Sequence, residues 1–91
     1  MSVQVGEVRS LEAQTADLAE TVYVLVNREL ARQHHKWGDQ HHELPYWLGI
    51  LGEEYGEVCR AVIESKPADV TVREVVQLIA VAIRLAERAT R

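Results

Sequence analysis

The densest chemistry in the sequence is the run Glu53-Glu54-Tyr55-Gly56-Glu57. On a helix Glu54 and Glu57 stand three apart and Glu53 and Glu57 four apart, so each pair has Cβ atoms ~5–6 Å from one another. At an effective dielectric near 20, two carboxylates ~6 Å apart repel by roughly 3 kcal/mol before salt screening. Three together need a cation, a proton or nearby arginines, and Arg60 is three residues on. Glu74 and Gln77 repeat the three-residue spacing further along the chain. Oxygen donors of this kind suit Mg²⁺, or Mn²⁺, which keeps sites open for water and phosphate. A cation so held can neutralise a triphosphate and orient an attacking water. The plain alternative is a solvated Glu-rich helix face, with Glu74 serving only as the capping-box partner of Thr71.

Helices must place these residues, because apolar residues recur at helical spacing three times and no strand-like alternation persists. The first segment, about Ser10 to His34, carries Leu11, Leu18, Val22, Leu25, Val26 and Leu30, with Ser10 as a candidate N-cap. Residues 1–9 read as a frayed end or an early helical turn. Lys36 to Leu44 is polar and contains Gly38, which predicts a loop, and Pro45 suits the first turn of the next helix. That helix is expected over Pro45 to Glu64, breaking at Ser65-Lys66-Pro67, and a third over Ala68 to Ala89, beginning either side of Thr71. The antiparallel return across so short a turn predicts Glu74 opposite Glu57.

Two features of these helices point to self-association. Val75 to Ala86 is apolar all round apart from Gln77 and Arg84, as expected of a buried helix. Gly49, Gly52, Gly56 and Cys59 share one narrow face of the second helix. A mid-helix glycine costs ~1 kcal/mol against alanine, so three on one side imply a close backbone neighbour, in another copy or in the same subunit.

The chain has 91 residues, enough for one domain, 1–91, with a thin core. Lys and Arg number 10 against 14 Asp and Glu, a net charge of -4, the wrong sign for a nucleic-acid binder. No apolar run approaches the ~20 residues of a membrane span, and MSVQVGEVRS lacks the features of a signal peptide. A lone cysteine, Cys59, makes a reducing cytoplasm the default expectation.

Taken with its surroundings, Glu53-Glu54-x-Gly-Glu57, then sixteen residues, then Glu74-x-x-Gln77, resembles the signature of the MazG-like all-α nucleoside triphosphate pyrophosphohydrolases. Lys36-Trp37-Gly38 followed by His41 or His42 is similar to the basic–Trp…His segment of several members, and the resemblance spans about residues 20–88. It implies three main helices per chain, completed by dimerisation into a four-helix-bundle core, as a homodimer or homotetramer. It also implies Mg²⁺-dependent conversion of an NTP or dNTP to its monophosphate and pyrophosphate, for nucleotide-pool clean-up.

By position, Glu54, Glu57, Glu74 and Gln77 become metal ligands, and Glu53 or Glu54 positions or deprotonates the water. Lys36, Trp37, Asp39, Gln40 and His41 or His42 become substrate contacts, with Trp37 as a stacking platform. Gln77 departs from the family's acidic residue: its amide oxygen can ligate but brings no charge. That departure motivates a second expectation, a non-catalytic oligomerisation or nucleotide-binding module with a decayed site. Phosphoribosyl-ATP pyrophosphohydrolase, which shares the helical plan, ranks below both.

Other residues read more plainly. Trp37 and Trp47 are packing candidates, and adjacent histidines, His34-His35 and His41-His42, lack transition-metal spacing. Cys59 reads as a buried, inert thiol. Arg84 interrupts the apolar third helix as a candidate interface ion-pair partner or phosphate contact, and Lys66 and Arg73 are further candidate phosphate contacts.

Overall fold

The structure is a computed structural model that describes residues 10–91. Three helices account for nearly all of them: α1 (Leu11–Trp37), α2 (Leu44–Ile63) and α3 (Ala68–Ala89). There is no strand among the described residues. The expectation for residues 1–9 lies outside them.

Helix ends follow local chemistry. Ser10 caps α1 as its spacing predicts, its hydroxyl accepting from the Ala13 amide at 3.1 Å. The helix then runs a turn further than expected, so Lys36 and Trp37 belong to it and not to the loop. Three basic side chains, His34, His35 and Lys36, sit in that last turn, where cations complement the exposed carbonyls. Gly38 provides the stop: its φ of 70° and ψ of -162° lie in a region essentially restricted to glycine, and its amide reaches the His34 carbonyl.

The second helix begins at Leu44, and Pro45 falls in its first turn, where a missing amide costs nothing. It closes one residue earlier than expected, in a Schellman arrangement: the Lys66 amide bonds the Ala61 carbonyl at 2.9 Å and the Ser65 amide that of Val62 at 3.2 Å. Ser65 occupies the left-handed position of that motif with φ 53°. The third helix starts at Ala68 behind Pro67, so Thr71 lies a turn inside it and caps nothing. Glu74 is thereby freed from the capping-box role.

The central element is α3, which packs against both α1 and α2, while those two make no close backbone contact. Val26 of α1 meets Val76 and Ala80 of α3, with Val22, Leu25, Leu30, Ile79 and Ile83 packed around them. On the other side Trp47 and Ala61 of α2 are buried, as is Val81 of α3. One end of the antiparallel α2–α3 pair is fixed by Arg88, which bonds Glu43 at 2.9 Å and the His42 carbonyl at 3.1 Å. Next inward, the Arg84 guanidinium lies 5.9 Å from the centre of the Trp47 ring. Equal steps down both helices from these pairs set Glu54 level with Gln77 and Glu57 level with Glu74.

A single chain leaves this architecture open. Its radius of gyration is 16.9 Å, against about 12 Å for a compact chain of this length. Its surface is 7030 Å², whereas a folded monomer of this mass exposes about 5,400 Å². Ala82 and Ala86 of α3 are exposed, so a single chain surrounds that helix only in part. Side chains added at Gly49, Gly52 and Gly56 would meet nothing within 4 Å among the described residues, so none of them packs on this face. Leu48, Tyr55, Val62 and Ile63 of the same helix are also exposed. No helix among the described residues is long and apolar enough to cross a membrane.

Candidate functional site

Glu54 is the innermost of the clustered acids. It sits half-buried between α2 and α3, and its Oε2 is buried with no hydrogen-bond partner. Loss of solvent raises its pKa above the ordinary carboxylate value, reinforced by the charges of Glu74, Glu57, Glu29 and Glu53 in that order. Carboxylates of α2 and α3 thus both act on the Glu54 charge. Gln77 is half-buried on the same stretch of α3. Glu53 and Glu57 are exposed.

Glu29 of α1 is the member that spacing does not reveal. Arg32 grips it with Nε at 2.9 Å and a terminal nitrogen at 2.7 Å, and the Gln33 amide nitrogen donates to it at 2.7 Å. The arginine holds its carboxyl below the ordinary value, against the opposing effect of burial. Its only sequence signal is the Glu29-x-x-Arg32-Gln33 pattern, which looks like an ordinary surface ion pair. Its charge adds to those that raise the Glu54 carboxyl, while its side chain lines a separate groove with Arg28, Arg32 and Arg73.

Among the described residues, no three His, Cys, Asp or Glu side chains already converge closely enough to hold a metal ion. The donor chemistry nonetheless fits a hard divalent cation: all candidates offer oxygen, and one buried carboxylate oxygen lacks any partner. Binding would require Glu57 and Glu74 to turn inward.

Two helical turns along α2 from Glu54, about 10 Å, Trp47 lies in the wall of a cleft of about 390 Å³. Asp39, Gln40, His41 and His42 from the α1–α2 loop line it, joined by Arg84, Arg88 and Arg91 from the end of α3. The loop is tied down at several points. His34 Nδ1 lies 3.2 Å from an Asp39 oxygen. The His42 ring stacks on Tyr46 at 3.9 Å and meets Trp47 edge-on at 5.2 Å. His41 and Gln40 remain as the loop residues with no such tie among the contacts described.

Lys36 and Trp37 stand outside this cleft. The Trp37 ring is half exposed, with the Lys36 ammonium 4.9 Å and the Arg32 guanidinium 5.6 Å from its centre. Within the cleft the aromatic surface belongs to Trp47, only 4% exposed. Spacing missed Arg88 and Arg91, which read as ordinary charges near a helix C-terminus. Arg73 lies apart, in a second groove between α1 and α3, and Lys66 pairs with Glu64 at 3.4 Å. Cys59 is half-buried beside Tyr55.

Comparisons with family models, with characterised proteins and with solved structures gave no match to this chain.

Proposed function

We propose that this chain is a subunit of a Mg²⁺-dependent nucleoside triphosphate pyrophosphohydrolase, with Mn²⁺ as an alternative ion. The observation that carries the reading is the partnerless, buried Oε2 of Glu54 amid acids from three helices, two turns from a cleft with cationic and aromatic walls. Glu54, Glu57 and Glu74 would hold the cation, with the Gln77 amide oxygen as an uncharged donor. Bound there, the ion would neutralise and orient the triphosphate oxygens.

Water attack on the α-phosphorus forms one P–O bond and breaks the bond to the bridging oxygen, releasing pyrophosphate. Glu53, next to the ligand set and open to solvent, would accept the water's proton. The cleft would take the nucleoside, with Trp47 in its wall and His41 and Gln40 at hand. Arg84, Arg88 and Arg91 favour a phosphate-bearing ligand.

The same reading makes the working species at least a homodimer in a reducing cytoplasm. The surface excess of one subunit, about 1,600 Å², is ample for a standard interface of ~800 Å² per partner. The exposed Gly49–Gly52–Gly56 face of α2 would meet its counterpart to complete a four-helix core.

The deciding experiment measures pyrophosphate release with Mg²⁺ or Mn²⁺ across the common NTPs and dNTPs, including dUTP, with Glu57→Gln as control. Turnover lost in that variant is the expected result. Gln77 favours a second reading, nucleotide binding without turnover. Wild-type silence together with activity in Gln77→Asp would establish that decayed site and displace the first reading.

A further inference from the structure

We propose that the Trp47 cleft is a site for a phosphate monoester held on arginine without a metal ion, with Arg84 as its anchor. This rests on the reading of the cleft as the nucleotide pocket and uses nothing of the acidic cluster. The monophosphate released by the proposed reaction belongs to the same class, so the cleft would hold product as well as substrate.

Arg84 is the charge that the fold leaves unanswered. Among the described residues it and Arg88 are the half-buried arginines. Arg88 has an acid, Glu43, at 2.9 Å. Arg84 has none among the described residues: its Nε donates to the neutral Oε1 of Gln33 at 3.1 Å, and its guanidinium carbon lies 5.9 Å from the centre of the Trp47 ring. Even arginines far more open to water find carboxylates, Arg32 with Glu29, Arg60 with Glu64 and Arg73 with Asp69. Taking a charge partly out of water is costly unless it is paired and hydrogen-bonded. Gln33 engages one of the several N–H donors of the guanidinium, and the side chain that bears the others lines a cleft of about 390 Å³. Attraction to helix C-terminal carbonyls does not account for Arg84. That effect falls off within the last turn, and α3 ends at Ala89, more than a turn beyond.

The walls of the cleft define the ligand. Arg91 lines it as well, and its side chain has no partner among the contacts described. A phosphate monoester carries about -1.5 to -2 charges and presents several acceptor oxygens, which suits this pair of guanidinium groups better than a single carboxylate would. The acids of the cleft are Asp39 and Glu87. Asp39 lies 3.2 Å from His34 Nδ1, Glu87 is exposed, and neither pairs with Arg84. So few carboxylates do not make the oxygen cage of a hard cation, and the anion meets arginine directly. Trp47, almost wholly buried in the wall, offers apolar surface to the organic part of the ester.

The test is calorimetric titration of the full chain in EDTA with each common nucleoside 5′-monophosphate, its parent nucleoside, ribose 5-phosphate and inorganic phosphate. At least one monophosphate is expected to bind, about tenfold or more tighter than its nucleoside, with affinity falling as salt rises. Arg84→Gln should weaken that monophosphate by about tenfold or more and leave the nucleoside within about twofold. Arg28→Gln removes the same charge from the other groove and should shift monophosphate affinity by less than about twofold. Helicity and melting show whether each variant folds. If Arg84→Gln does not, Arg91→Gln, at an exposed position past the end of α3, should still weaken the monophosphate by about threefold or more. Equal affinity for monophosphate and nucleoside, wild-type affinity in whichever of these two variants folds, or an equal loss in Arg28→Gln overturns the proposal. Inorganic phosphate binding as tightly as any ester overturns the ester assignment in favour of the free ion. Binding in EDTA without turnover of any triphosphate upholds this site while sinking the hydrolase reading, and turnover without binding in EDTA does the reverse.

Discussion

Glu54 illustrates how a single buried oxygen can burden a fold. A carboxylate whose folded pKa is raised binds its proton more tightly in the folded than in the unfolded state. Stability is then greatest below the ordinary carboxylate value of 4.5, falls as pH rises through the raised value, and is constant above it. Glu54→Gln removes this penalty. In the absence of divalent cations it should melt above wild type at pH 7, and the gap should close as pH drops below 4.5. Thermal unfolding followed by circular dichroism across pH checks both parts. An equal or lower melting temperature at pH 7 would mean that Glu54 is well accommodated and the site is no cation trap. Added Mg²⁺ should narrow the gap from the other side, because a ligand of the folded state stabilises by RT ln(1 + [L]/Kd).

Among the elements, the α2–α3 turn sets the register of the antiparallel pair, in which counting along the helices puts Glu54 level with Gln77. The Schellman bonds at Ala61 and Val62 close α2 there, and Pro67 fixes the entry to α3. Ser65 holds the left-handed position at φ 53°, normally taken by glycine. The left-handed conformation costs a residue with a Cβ roughly 1–2 kcal/mol, and glycine's freer unfolded chain takes back part of any gain. Ser65→Gly should therefore stabilise the fold by about 1 kcal/mol, or roughly 4–8 °C in Tm for a domain of this size. Affinity for Mn²⁺ should stay at the wild-type level, since the turn's geometry is unchanged. A fall in Tm would show that the Ser65 side chain does more than tolerate its backbone.

At the scale of the whole molecule, the proposed dimer rests on what a single chain leaves uncovered. Its radius of gyration, its excess surface and the open glycine face of α2 concern the same deficit. Gly52→Leu discriminates sharply, because within the subunit the new side chain meets nothing within 4 Å. A solvated helix would gain about 0.8–1.0 kcal/mol on losing a mid-helix glycine, most of which leucine recovers. In a paired face the leucine would instead hold the two backbones apart. The expected outcome is a shift from dimer to monomer in light scattering, with a lower Tm that no longer depends on protein concentration. A Gly52→Leu protein that stays dimeric and melts higher would place the interface elsewhere.

The number and type of elements were determined by the sequence alone, because helical periodicity and Gly/Pro punctuation are local properties of the chain. The antiparallel packing of α2 on α3 was legible for a related reason: a short turn between two helices leaves only an antiparallel return. Helix ends were less legible. Lys36 and Trp37 joined α1 because a cationic last turn and the special backbone of Gly38 outweighed their polar surroundings. The Thr71–Glu74 capping pattern lay idle because Pro67 had already opened the helix. Tertiary structure decided the rest. Trp47 took the cleft position because the loop folds over the start of α2, and Glu29 came to line a groove with Arg73 because α1 crosses α3 at that level. Such meetings depend on how faces far apart in sequence pack, and nothing in the spacing along the chain encodes that.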